Sequence, residues 1–285
     1  MSDQPPPNPQ ARSFGGVADA YDRGRPTYPR EAAAWLAGEQ PVTVLELGAG
    51  TGKLTEVLVG LGHDVHATDP DEQMLAVLRD RLPDVRTSPA SAEEIPAADA
   101  SYDVVVSAQA FHWFDLDRAL PEIARVLKPG GRLAVVWNHR DERIPWVRRL
   151  GTIIGTHEQL RSQEPLVTSP LFGFVEDASF SFWQLVDRAS IQDLVLSRSN
   201  VAVLDEEGRA AKLAEVLSFY DEYGRGMDGM QLPYTTRCFR AAVVDRPRRD
   251  RPEPATDSDG DTDGEPSQHP VSDGTDTDML LIDFR

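Results

Sequence analysis

Residues 42–53 constrain this chain more than any other stretch. An apolar, β-branched run ends in Glu46-Leu47-Gly48-Ala49-Gly50-Thr51-Gly52-Lys53, and a helical pattern opens at Leu54. Strand, tight turn and helix in that order bind a nucleoside or anionic ligand at the carboxyl end of a first strand. Glycines in such a turn supply φ > 0 and let a ligand lie directly on backbone. Amides at the helix start add free N–H donors. Two details argue against a dinucleotide loop. The third glycine of G-x-G-x-x-G would fall at Lys53, and Glu46, at the strand end, would repel a pyrophosphate. Glu46 is suited instead to accept hydrogen bonds from a cationic amino group. A phosphate loop of the G-K-[ST] kind is absent from this stretch.

The second strand is expected over residues 64–69 and ends in an acid. Asp69 lies 21 residues after Gly48, close to the ~20 at which a carboxylate reaches the ribose hydroxyls of a nucleoside. The alternative role for Asp69 is to cap the helix over 71–81, although Asp71 and Glu72 already occupy that helix's first turn. A short strand over 85–88 and an apolar strand over 102–108 follow. The fourth strand runs into Gln109-Ala110-Phe111-His112-Trp113-Phe114-Asp115. Open α/β sheets place ligands outside the carboxyl ends of their strands, so this cluster reads as ligand-facing. A helical stripe over 116–127 ends in Lys128-Pro129-Gly130-Gly131, and a fifth strand is expected over 132–138. The order β-α-β-α-β-β-α-β predicts an α/β fold with a parallel, doubly wound sheet.

Outside this block the rhythm changes. Residues 1–12 read as a disordered arm. Residues 13–40 hold Tyr21, Arg25 and Tyr28 on an aromatic segment. It either forms a lid over the ligand loop or packs outside the sheet, and it ends in a helix over 29–37. Residues 139–180 form an irregular insertion at the ligand edge, suited to set specificity or merely decorative. A sixth strand over 180–186 precedes a helix over 190–198, opened by Ser190 and Asp193 as a capping-box-like pair. A helix over 205–223 and a last strand over 233–244 complete a domain spanning 13–245. Residues 246–285 read as a disordered acidic tail. Its apolar end, Met279 to Phe284, is equally a docking motif for a protein partner and a chance terminus.

The first motif, Val44 to Gly52, resembles that of class I S-adenosylmethionine-dependent methyltransferases. The A-x-x-Y-D-x-x-R-P-x-Y-P pattern, at Ala18 to Pro29 in this chain, has counterparts there and favours the lid. Gln109 to Asp115 is similar to a segment of small-molecule methyltransferases of the trans-aconitate type. The resemblance implies a seven-stranded sheet whose last strand lies antiparallel between strands five and six. It implies S-adenosyl-L-methionine as cofactor, with Gln109 near its methionine end. Adenine would meet Ser91 and the backbone of Ala92, where the family often has Asp-Ala. His112 would face the acceptor as the candidate base, with Tyr21, Arg25, Tyr28, Phe111 and Trp113 on the acceptor side. The cofactor-binding set is then Glu46, Gly48, Ala49, Gly50, Gly52, Asp69, Ser91, Ala92 and Gln109. The expected activity is methyl transfer to a small-molecule carboxylate or hydroxyl. The alternative is a cofactor-binding regulator or scaffold with little turnover.

Composition narrows the partners. Net charge is −18, and residues 246–285 carry 11 acids against 5 arginines, which leaves −12 on residues 1–245. An acidic body disfavours nucleic acid and anionic membranes alike. One cysteine, Cys238, excludes an internal disulfide and a cysteine-built zinc site, and no metal is expected. The absence of a long apolar run or a signal-like start suggests a cytoplasmic protein, monomeric or homodimeric.

Overall fold

A computed structural model of the chain describes residues 22–155, 163–198, 201, 203–223 and 229–244. The arm over 1–12, the first part of the expected lid with Tyr21, and the tail over 246–285 lie outside them.

The glycine-loop strand β1 (Thr43–Leu47) sits inside a seven-stranded sheet and is flanked on both sides. It pairs in parallel with β2 (Asp64–Asp69) and with β4 (Tyr102–Ala108). The remaining strands are β3 (Arg86–Pro89), β5 (Leu127–Arg140), β6 (Glu176–Val186) and β7 (Met230–Ala242). Their order is β3-β2-β1-β4-β5-β7-β6, and β7 runs antiparallel to both neighbours. This is the topology expected from the sequence resemblance.

The helices are α1 (Arg30–Ala37), α2 (Lys53–Gly60), α3 (Glu72–Arg81), α4 (Leu116–Val126), α5 (Pro145–Ile154), α6 (Glu164–Thr168), α7 (Ser190–Leu196) and α8 (Glu206–Tyr223). The central strands are mostly apolar in their middle residues because each buries both faces. Leu45, Leu47, Val105, Leu133, Val135 and Trp137 face α4 with Ala119, Leu120 and Ile123. The alternate residues Val44, Val104, Val106, Ala134 and Val136 face α1 and α2 with Leu36, Leu54 and Leu58. Strand period two thus divides one run of sequence between two cores. A third core joins α5, α7 and α8 to the ends of β6 and β7 through Leu150, Ile154, Leu194, Val216, Phe219 and Leu232.

Three local expectations need correction. Strand β5 begins at Leu127, which pairs with Tyr102 before the register jumps to Val104 with Arg132. Lys128 to Gly131 therefore form a bulge inside a strand, with Gly130 at φ 75°. The cap of α7 is Asp187, whose Oδ1 accepts from the Ala189 and Ser190 amides at 3.0 and 2.7 Å. Asp193, expected to complete that cap, is instead held by the Arg23 guanidinium through both carboxylate oxygens at 2.9 and 3.0 Å. Strand β6 begins earlier than expected, at Glu176, and β7 runs from Met230 to Ala242, because β6 pairs with β7 along its whole length. Among the described residues, no helix is long and apolar enough to cross a membrane, and no cluster of potential metal ligands occurs.

Candidate cofactor and acceptor site

The turn after β1 reverses tightly: Gly48, Gly50 and Gly52 have φ of 70°, 57° and 86°. Gly48 has no room for a side chain, since a Cβ there would lie 2.4 Å from the Ala110 Cβ. Gly52 caps α2, and its Cβ would meet Leu78 at 2.9 Å. On its Cβ side Gly52 therefore packs against α3. The loop is braced from β2, because Asp69 Oδ2 accepts from the Gly50 amide and its Oδ1 from the Asp71 amide, both at 2.9 Å. Helix α3 has its own cap in Asp71, which accepts from Gln73 at 2.9 Å.

Glu46 is 1% exposed and accepts from the Thr55 hydroxyl at 2.6 Å. Burial, opposed by the Thr55 bond and reinforced by the Asp69 charge, pushes its carboxyl up to about 8. Asp69 is likewise raised to about 6 by burial, against the lowering effect of the Asp71 and Gly50 amides. At the end of β4, Gln109 adopts φ 60°, unusual for a residue with a side chain. Its Nε2 donates to Asn138 O at 3.4 Å, while its buried Oε1 has no hydrogen-bond partner.

Glu46, Gly48, Ala49, Gly50 and Gln109 line one cleft together with Arg25 and Tyr28. The cleft is open, with about 830 Å³ of unfilled space once the solvent at its mouth is counted. Its far wall comes from Asn138, from His139, Arg140 and Glu142 of the insertion expected at the ligand edge, and from Arg198 and Tyr234, which the sequence did not single out. The first three stand at the carboxyl end of β5, so the strand-end rule applied to strand four would have found them at strand five. Tyr234 is brought there by register, opposite Arg140 across the β5–β7 pair. Arg198 had no local signal.

Several expected residues stand elsewhere. Phe111, expected on the acceptor side, is 1% exposed and packs edge-on against Phe114 and Trp137 in the core. The turn Phe111–Trp113 points its first aromatic inward to close the sheet's end. His112 lies against Trp113 with ring centroids 4.6 Å apart and planes tilted by 41°, and neither belongs to the cleft wall. Asp69, Ser91 and Ala92 also lie outside that wall, and the Ala92 methyl joins the core.

A strap over residues 22–28 ties the two walls together. Asp22 pairs with Arg81 at 2.7 Å and Lys53 at 3.4 Å beside the glycine loop. Further along, Arg25 Nη2 donates to Ser197 O at 2.9 Å, and Asn138 Nδ2 donates to Thr27 O at 3.0 Å. Gly24 lies directly on α7, where a Cβ would fall 2.3 Å from the Asp193 carbonyl carbon.

Comparison with known proteins decides what this arrangement belongs to. A sequence model described as a methyltransferase domain matches residues 45–135. An uncharacterised methyltransferase of Mycobacterium tuberculosis is 44% identical over 239 residues, covering 81% of this chain and 96% of that one. The chain belongs to the class I S-adenosylmethionine-dependent methyltransferases. An uncharacterised methyltransferase-like protein of Schizosaccharomyces pombe is 35% identical over 239 residues, covering 78% of this methyltransferase and 92% of the yeast chain. Among solved structures, a candidate type II methyltransferase from Anaeromyxobacter dehalogenans superposes with a TM-score of 0.56 at 26% identity, covering 79% of this chain and 99% of that one.

The family's cofactor is S-adenosylmethionine, and the groups of this methyltransferase fit it. The orphaned Gln109 Oε1 and the buried Glu46 carboxyl are acceptors suited to an ammonium group. The Gly48 turn, with no space for a Cβ, could hold a ligand against bare backbone.

Proposed function

We propose that this methyltransferase acts on an oxygen, carboxylate or hydroxyl, of a small-molecule acceptor seated in the cleft. One observation carries this reading: a single cleft joins Glu46 beside the glycine loop and Gln109 at the end of β4 to a polar wall built by β5, β7 and Arg198. Glu46 and Gln109 would hold the cofactor's ammonium, with Gly48, Ala49 and Gly50 against it. Asp69 would take the ribose hydroxyls, and Ser91 and the Ala92 backbone the adenine. Arg25 and Tyr28 would close the acceptor side from the strap. The likeness of residues 109–115 to small-molecule methyltransferases supports the same acceptor class.

When bound, S-adenosylmethionine supplies a methyl group already activated by its sulfonium. The protein's part is to align the acceptor and exclude water, which needs little acid–base chemistry. A carboxylate acceptor needs no base. For a hydroxyl, His139 in the cleft wall is better placed than His112 outside it.

The test is a screen of metabolite pools read as S-adenosylhomocysteine release. Turnover above blank with an acid or alcohol, traced to one methylated oxygen, is the expected result. A protein that binds S-adenosylhomocysteine but releases none across a broad panel would contradict it and favour the regulator alternative.

A further inference from the structure

The cleft's far wall is far more basic than the chain that builds it. Arg25, Lys53, Arg140 and Arg198 line the cleft, and among the described residues its wall carboxylates are Glu46 and Glu142. Burial holds the proton on Glu46 to about pH 8. Four cations against two carboxylates make the wall net positive whichever state Glu46 takes, on a molecule of net charge −18.

The guanidinium groups converge. Arg140 Nη2 and Arg198 Nη2 both donate to Gly155 O, at 3.0 and 3.1 Å. Arg140 also approaches Glu142 at 3.3 Å. The Arg140 side chain is 6% exposed, and its Nε is buried with no hydrogen-bond partner. Tyr234 is buried among these groups, and the charges of Arg140, Arg198 and Arg25 partly offset the upward push of burial on its phenol. Like charges gathered in a partly desolvated wall are unfavourable unless an anion meets them. S-adenosylmethionine brings one carboxylate, together with two cationic groups. With Asp22 on Lys53 and Glu142 on Arg140, a cofactor that is itself net positive adds no net negative charge to the wall.

We infer that Arg140, Arg198 and Tyr234 form an anion-binding subsite that holds a carboxylate or phosphate group of the methyl acceptor. Guanidinium forks suit either group, since both offer paired oxygens. The inference rests on the methyltransferase reading of the cleft and narrows it: the acceptor is an anion, and these residues position it. They act on its binding rather than on the transferred methyl.

The test uses the full chain saturated with S-adenosylhomocysteine, titrated with benzoate, tricarballylate and phenyl phosphate. Benzamide and phenol serve as neutral controls. At least one anion should bind about tenfold or more tighter than the neutral probes. Arg140→Gln and Arg198→Gln should each weaken that anion by about tenfold or more, the scale of a lost charged hydrogen bond, while S-adenosylhomocysteine affinity changes by less than about threefold. Retained S-adenosylhomocysteine binding shows that a variant is folded, and Tyr234→Phe gives a third variant that keeps both arginines. Benzoate against phenyl phosphate tells carboxylate from phosphate. Loss of S-adenosylhomocysteine affinity with the anion unaffected would assign the arginines to the cofactor's own carboxylate and overturn the inference. So would a wild-type complex that binds no anion. A wild-type protein that fails to bind S-adenosylhomocysteine would instead overturn the methyltransferase reading of the cleft.

Discussion

At Gly48 backbone conformation and crowding act together: φ is 70° and Ala110 stands where a side chain would begin. Gly48→Ala should cost at least ~1–2 kcal/mol from the left-handed conformation alone, with the clash added. A lowered melting temperature and weakened S-adenosylhomocysteine binding are expected, and Ala110→Gly should restore part of the loss. No change in either would show that the turn relaxes freely. Glu46 gives a pH signature. The unfolded chain releases its proton near 4.5, whereas the folded one keeps it to about 8. In that window the native state binds more protons, so this group makes stability fall as pH rises. Asp69 adds a similar slope, complete by about pH 6. Between about pH 6.5 and 8, cofactor-free Glu46→Gln should therefore lose less melting temperature than wild type, yet bind S-adenosylhomocysteine more weakly. Parallel melting curves across that range would refute the assignment. Glu46, Gly48 and Gly50 were legible as cleft residues because they belong to the defining motif, and Gln109 because it directly follows a strand end. Arg198 and Tyr234 were not, since register and helix packing bring them to the cleft from more than a hundred residues away in sequence.

Element by element, the parallel half of the sheet followed from short β-branched or apolar runs separated by helical stripes. Boundaries failed where a nonlocal partner decided them. Residues 128–131 read as a helix stop, yet Leu127 pairs with Tyr102 and draws that turn into β5. At α7 two acids competed for one cap: Asp187 took it, and Arg23 from the strap drew Asp193 away. Asp187→Ala should then destabilise by about 1 kcal/mol, as for loss of an N-cap. Asp193→Ala should cost less, because it breaks an ion pair whose arginine is largely exposed. Thermal melts of the two variants decide the order, and a larger loss for Asp193→Ala would reverse the cap assignment. The strap itself was legible only as an aromatic segment that either covers the loop or packs outside the sheet. Its described part runs along the cleft, from Asp22 beside the glycine loop to Arg25 beside α7.

For the whole molecule, charge and tail belong together. Residues 246–285 are rich in Asp, Gly and Thr, and such a segment buries too little apolar surface to offset its ordering entropy. Deleting them should leave melting temperature and cofactor affinity essentially unaltered, and a marked drop in stability would show that Met279 to Phe284 docks on the domain. Residues 1–245 are acidic in sum, yet the described cleft wall is basic, and that contrast belongs to the fold rather than to any one motif. The central claim is that the loop from Glu46 to Gly52 and the strand-four end at Gln109 make an S-adenosylmethionine site. Titration calorimetry of the full chain with S-adenosylhomocysteine, and with NAD as control, tests it most directly. Saturable one-to-one binding of S-adenosylhomocysteine and no heat with NAD is the predicted result; NAD binding with no response to S-adenosylhomocysteine would contradict it.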